Sequence, residues 1–292
     1  TGARDRRIAC DLHPVPTFPS DISITRVAWF ASVPPATDPV AELNARVLPA
    51  LAERVEVHLF TAADDVDPEI TSHATIHPAL GNPDLWPTVQ ACDLAFFHLD
   101  RTASLHGDVF DLCCQHPGIV VFHDPSLHEL VAWSWVLYQS RVEHYLRAVD
   151  HEHGRAGREL AARWQRGELD FAEIALRLPM TSWIGRRALG VVALDRPTAE
   201  PLRTEVLAGR LGPLTLAERD LPADEWVDRV LDLAVAARGR RVESAVRTAT
   251  DRTIERWSWL PRRLRRRAVD RLTDDFAQLV RLAGEGRDLG SR

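Results

Sequence analysis

Lysine is missing from the 292 residues: all 36 basic side chains are arginine. That bias alone reads as a coding preference; a phosphate-binding role would need a local cluster of forked guanidinium groups. Cysteine is scarce. Cys10, Cys92, Cys113 and Cys114 contain no CxxC pair, and vicinal Cys113-Cys114 are too close for an ordinary bridge. They are expected to be reduced thiols of a cytoplasmic protein. No run approaches the ~18 apolar residues of a membrane span, and no charged-then-apolar leader is seen. The formal net charge of −6 argues against nucleic acid as a partner. GxGxxG, a Walker-type loop and a GxSxG elbow are all missing, which leaves a dehydrogenase, a kinase or a covalent hydrolase poorly supported. No cofactor is expected.

What is present alternates between short apolar runs and helical spacing. Residues 1–25 are polar and Pro-rich and read as an N-terminal arm. Arg26–Ser32 is a short apolar run stopped by Pro34-Pro35, the pattern of a buried parallel strand. Residues 39–53 carry Val40, Leu43, Val47, Leu48 and Leu51 at helical spacing, and Val55–Phe60 is a second strand, giving a βαβ unit. Leu94–His98, Gly118–His123 and Gly190–Leu194 read as further strands, and 104–114, 127–148 and 155–176 as helices. Beyond about 220 the chain is helical and Arg-rich over 223–255 and 262–284. The predicted fold class is α/β: one doubly wound, Rossmann-like domain over 26–220 with a helical C-terminal extension over 221–292. Ligands of such sheets bind outside the carboxyl ends of the strands. That rule selects the segments after Ser32, after His98, at His123-Asp124 and after Leu194.

Several stretches resemble family 4 glycosyltransferases of the GT-B fold. They are the Pro-rich loop Val33–Val40, Leu48-Pro49-Ala50-Leu51-Ala52, the strand Val55–Phe60, and Pro117-Gly118-Ile119-Val120-Val121-Phe122-His123-Asp124-Pro125-Ser126-Leu127-His128. Tyr145, Gly154–Ala161 and Leu178-Pro179 follow in the family's order. The resemblance covers roughly residues 26 to 220. It implies the acceptor-side half of a sugar-transfer enzyme, with a sugar or lipid-linked acceptor, and with Ala223–Leu233 as a terminal helix that packs back on the first domain.

The departures sit in the ligand-facing loops. The first-loop glycine is replaced by Pro39, which has neither glycine's open approach nor an N–H for an anion. The Gly-Asn after the third family strand becomes Asp100-Arg101, and the family's His-Ser becomes Leu194-Asp195. A second, nucleotide-sugar-binding domain is expected to be missing, so that a partner chain would supply the donor.

Within this frame His123 and Asp124 are the candidate catalytic pair. His123 would face the cleft, and Asp124 would orient its ring, bind a hydroxyl, or simply N-cap the following helix. Asp100, Arg101, His106, His128 and Asp195 are candidate acceptor contacts, with packing or surface roles as the alternatives for the histidines. Without HxxxH or HExxH spacing no metal site is expected. His151 and His153 lie on nearly opposite sides of a helix and chelate poorly. Arg262, Arg263, Arg265, Arg266 and Arg267 beside Trp257 and Trp259 form the one concentrated basic patch. It suits an anionic membrane surface at the inner face, a phosphate or a protein, or is a solvated helical face. A protein partner or a homo-oligomer would dock through these C-terminal helices. Three functions remain open: a glycosyltransferase half, a non-catalytic binding or scaffold descendant, and an enzyme repurposed around His123 and Asp124.

Overall fold

The computed structural model describes residues 23–63, 65–79 and 82–238. Most of the N-terminal arm, most of the C-terminal extension and the whole Arg262–Arg267 patch therefore lie outside the described residues.

Seven strands form one parallel sheet in the order β3-β2-β1-β4-β5-β6-β7. They are β1 (Arg26–Phe30), β2 (Glu56–Thr61), β3 (Thr75–Pro78), β4 (Leu94–Leu99), β5 (Ile119–Phe122), β6 (Gly190–Ala193) and β7 (Leu214–Leu216). The helices are α1 (Pro39–Ala52), α2 (Pro68–Thr71), α3 (Leu85–Ala91), α4 (Ala103–Gln115), α5 (His128–Ala132), α6 (Val142–Gln165), α7 (Phe171–Arg177), α8 (Thr181–Gly185), α9 (Arg196–Leu207) and α10 (Ala223–Arg238). The fold is a Rossmann-like α/β unit, and all the described strands belong to one sheet.

Strand periodicity assigns the two faces. In β1, Ala28 and Phe30 join the core beneath α3 to α9, whereas Val27 and Trp29 join the core beneath α1 and α10. β4 repeats the rule with Ala95, Phe97 and Leu99 on the first face and Leu94 and Phe96 on the second. Every residue of β4, β5 and β6 is buried, as a parallel sheet covered on both sides requires. Gly118 enters β5 where a Cβ would lie 2.5 Å from the Ala95 carbonyl oxygen, so a side chain there would push β4 and β5 apart.

Two readings of the sequence change. The helix read over 127–148 is α5, then a π-helical turn over Trp133–Tyr138, then the start of α6, because Ser140 takes a positive φ of 55° and breaks the pattern. The helix read over 155–176 ends α6 and continues as α7, divided at Gly167 with φ 73°. α10, the terminal helix that the resemblance places over Ala223–Leu233, buries Trp226, Val227, Val230, Leu233, Ala234 and Ala237 in the core it shares with α1. Its Trp226 indole meets Trp29 edge-on at 6.3 Å and donates to the Ala217 carbonyl. The strands β3 and β7 are too short and too weakly apolar to stand out in sequence.

Candidate functional site at the strand switch point

The chain runs β1, β2, β3 toward one edge and then returns to place β4 on the other side of β1. The two crossovers leave in opposite directions, which opens a crevice at the carboxyl ends of β1 and β4, where doubly wound proteins bind ligands. Asp38 enters it from the loop after β1, Asp100 follows β4, His106 lies on α4 and His123 follows β5.

Parity explains why two histidines meet. His98 continues the face of Leu94 and Phe96, and His123 continues that of Ile119 and Val121. Both rings therefore project toward α1. His98 Nδ1 and His123 Nε2 lie 3.0 Å apart. Trp29 donates its indole N–H to Asn44 Oδ1 at 2.7 Å, so the Asn44 amide nitrogen faces the other way. That nitrogen donates to the Val40 carbonyl and points at His98 Nδ1, 3.5 Å away. His98 Nδ1 is thus an acceptor, and His123 Nε2–H donates to it. The remaining nitrogens follow: His98 Nε2 carries a proton and His123 Nδ1 carries a lone pair. Both are buried without a partner.

Burial holds both rings neutral. His98 is lowered to about 3 by desolvation, with His106 and the Arg219 guanidinium adding to the effect. His123 falls well below the ordinary histidine range for the same first cause, with His98, Arg219 and His106 contributing. Asp100 and His106 titrate as a pair. Desolvation raises the carboxyl and lowers the imidazole, and each partner partly restores the other's charge.

His106 is fully buried. Its Nε2 is 3.3 Å from Asp100 Oδ1, yet neither ring nitrogen has a partner in hydrogen-bonding geometry. Asp38 Oδ1 caps α1, accepting from the Val40 and Ala41 N–H groups and from Ser32 Oγ, while Oδ2 is buried and unpartnered. Among the described residues seven buried side-chain polar atoms lack a partner, and five belong to Asp38, His98, His106 and His123. Such atoms are costly to leave unpaired, so their concentration in one crevice marks a place prepared for something else. Asp38, Asp100 and His106 are the described group able to hold a metal ion: one donor atom from each lies within 4.8 Å of the others.

No family model matches the sequence, and no curated protein does. The switch point is therefore defined by its own chemistry.

A loop covers the crevice. Arg219 donates to the Pro39 carbonyl and to the His123 carbonyl, tying α1 to the end of β5. Arg46 in turn donates to the carbonyls of Arg219 and Leu221. Sequence reasoning had no signal for Arg219, which stands alone in a polar loop. For Asp38 a signal existed, an acidic N-cap before a proline-started helix.

The other sequence candidates make no hydrogen bond to this group, although the Asp124 carboxylate acts electrostatically on Asp100 and His106. Asp124 contacts neither nitrogen of the His123 ring and does not cap α5; its Oδ2 accepts the Arg101 N–H at 3.0 Å. The Arg101 side chain is exposed. His128 belongs to the core, its Nδ1 against the Leu178 carbonyl and its Nε2 against the Tyr145 hydroxyl, with burial lowering it to about 4. Asp195 caps α9 through Thr198 N–H at the end of β6. His153 bonds the Pro179 carbonyl. Cys113 and Cys114 are free thiols, Cys114 pushed up to about 12 by burial. No described helix is long and apolar enough to cross a membrane.

Proposed function

We propose that this chain is the acceptor-side domain of a glycosyltransferase-like protein, and that its ligand is a sugar seated by its hydroxyls at the carboxyl ends of β1, β4 and β5. The observation that carries the reading is the neutral, unpartnered donor and acceptor pair formed by His98 Nε2–H and His123 Nδ1. The two nitrogens lie on the outer sides of the paired rings, so two separate hydroxyls would be needed, one accepting from His98 Nε2–H and another donating to His123 Nδ1, and neither introduces charge. A free anion would meet Asp100 and Asp38 instead, while Arg219 is spent on carbonyl groups. The order of sequence motifs from Val33 to Pro179 and the packing of α10 against α1 agree with the family resemblance.

A second reading, a non-catalytic descendant, is favoured by how the loop carboxylates are used. Asp38 Oδ1, Asp124 and Asp195 all accept backbone N–H groups, and Pro39 fills the first turn of α1. Under it a sugar binds but is not transferred.

The test titrates the full chain with a panel of monosaccharides, UDP and UDP-sugars, followed by saturation-transfer NMR. A monosaccharide is expected to receive saturation, weakened at least about tenfold in His123→Ala, the loss of one or two hydrogen bonds. Transfer assays with a donor-binding partner then separate the two readings. If no saccharide responds, or if folded His123→Ala binds as wild type does, the acceptor assignment fails. Tight binding of UDP alone would place a donor site here instead.

A further inference from the structure

We propose that Asp38, Asp100 and His106 bind one divalent cation of the manganese or zinc class at the switch point. The inference does not depend on the sugar-acceptor reading. It starts from three donors brought together from the β1–α1 loop, the end of β4 and the first turns of α4, with their ligand atoms within 4.8 Å of one another.

The second observation is His106. Its side chain is 0% exposed, both nitrogens are unpartnered, and Nε2 lies 3.3 Å from a carboxylate oxygen without making a hydrogen bond to it. Around an ion with bonds of about 2.1 Å, neighbouring donors stand roughly 3.0–3.4 Å apart, and they need not point at each other. The His106 and Asp100 atoms already have that spacing. The third donor has to draw in by on the order of an ångström.

Charge and second-shell order agree. Two carboxylates face the crevice, and among the described residues neither pairs with an arginine. Each is held from behind: Asp38 by the α1 N–H groups and Ser32, Asp100 by the Thr102 N–H at 2.6 Å. Such outer contacts orient a ligand toward its ion. One imidazole with two carboxylates suits manganese or zinc better than calcium, which prefers six or more oxygens. Three protein donors leave positions open for water or a ligand oxygen on the half-buried Asp38 side.

The test uses the full chain, stripped with EDTA and desalted, and Mn2+ alone as the probe. Electron paramagnetic resonance is expected to show one tight site, with 14N modulation from a coordinated imidazole. Asp38→Asn keeps the helix cap, because asparagine caps as well as aspartate, but removes the charged donor. It and Asp100→Asn are each expected to weaken Mn2+ binding at least about tenfold, the scale of lost metal-site contacts. His106→Gln is expected to abolish the 14N signal, and Zn2+ to displace Mn2+. The wild-type spectrum decides even if a variant fails to fold. Mn2+ that stays unbound below millimolar concentration, binds without 14N coupling, or keeps its coupling in His106→Gln overturns the proposal.

Discussion

Acidification below pH 6.5 should destabilise this domain, and the buried histidines set the size of the effect. An unfolded imidazole takes up a proton near 6.5, whereas His98 in the fold does so only near 3 and His128 only near 4. Both folded values are depressed, so below pH 6.5 the unfolded chain binds protons that the folded chain refuses, and stability falls with pH. Each neutral ring costs about 1.4 kcal/mol per pH unit in that window. At pH 5 His98 and His128 together cost about 4 kcal/mol, a large share of an ordinary domain's 5–15 kcal/mol. His123 is shifted in the same direction and adds to the loss. Asp100, Asp111 and Glu152 are raised by burial, so the folded form takes up their protons first and they work the other way. Urea unfolding of the EDTA-treated chain at half-unit steps from pH 7.5 to 5 measures the balance. Uptake of about two protons on unfolding gives a slope near 2.7 kcal/mol per pH unit around pH 5.5. A flat profile between 6.5 and 5 would mean that these rings are charged or solvated in the fold, and the tautomer argument at the switch point would fall with them.

Four further outcomes are expected. Trp226→Ala should cost about 3–5 kcal/mol in urea unfolding, as loss of a fully buried aromatic does, which would establish α10 as part of the domain core. Asp195→Ala should cost about 1 kcal/mol, the loss of an N-cap, and leave saccharide and Mn2+ titrations unchanged. Arg219→Met should speed hydrogen exchange across residues 217–222 and cost about 1–3 kcal/mol, since its guanidinium bonds two carbonyls across the crevice. His128→Ala should destabilise by about 2–4 kcal/mol by stranding the Tyr145 hydroxyl, while leaving switch-point binding intact when assayed well below the new Tm.

The strands that face apolar layers on both sides were legible, because β1, β4, β5 and β6 are nearly continuous runs of Val, Ile, Phe, Leu and Ala. β3 and β7 were not: Thr75-Ile76-His77-Pro78 and Leu214-Thr215-Leu216 pair at the two edges of the sheet, where burial demands little of a sequence. The helix breaks were hidden where a serine, not a glycine, takes positive φ. In the site, His123 and Asp100 could be picked out from their place after strands, and His106 from the family resemblance. Their companions could not be placed beside them. Asp38, Asn44 and Arg219 reach the crevice from a loop, a helix and a distant turn, and only the return of the chain from β3 to β4 brings them together. Local spacing such as HxxxH registers donors on one helix and is blind to donors on three elements. Asp124 and His128 follow His123 closely in sequence, yet the backbone turns each toward a different hydrogen-bond partner.

The account rests on the buried polar atoms of the switch point being poised for a ligand. A 15N–1H correlation spectrum of the histidine rings, recorded at pH 7.5 with and without a binding saccharide, examines them directly. Protonated Nε2 on both His98 and His123, with shifts concentrated on His98, His123 and His106 when the sugar is added, is the result expected. A charged His98–His123 pair, or saccharide-induced shifts confined to other histidines, would contradict it.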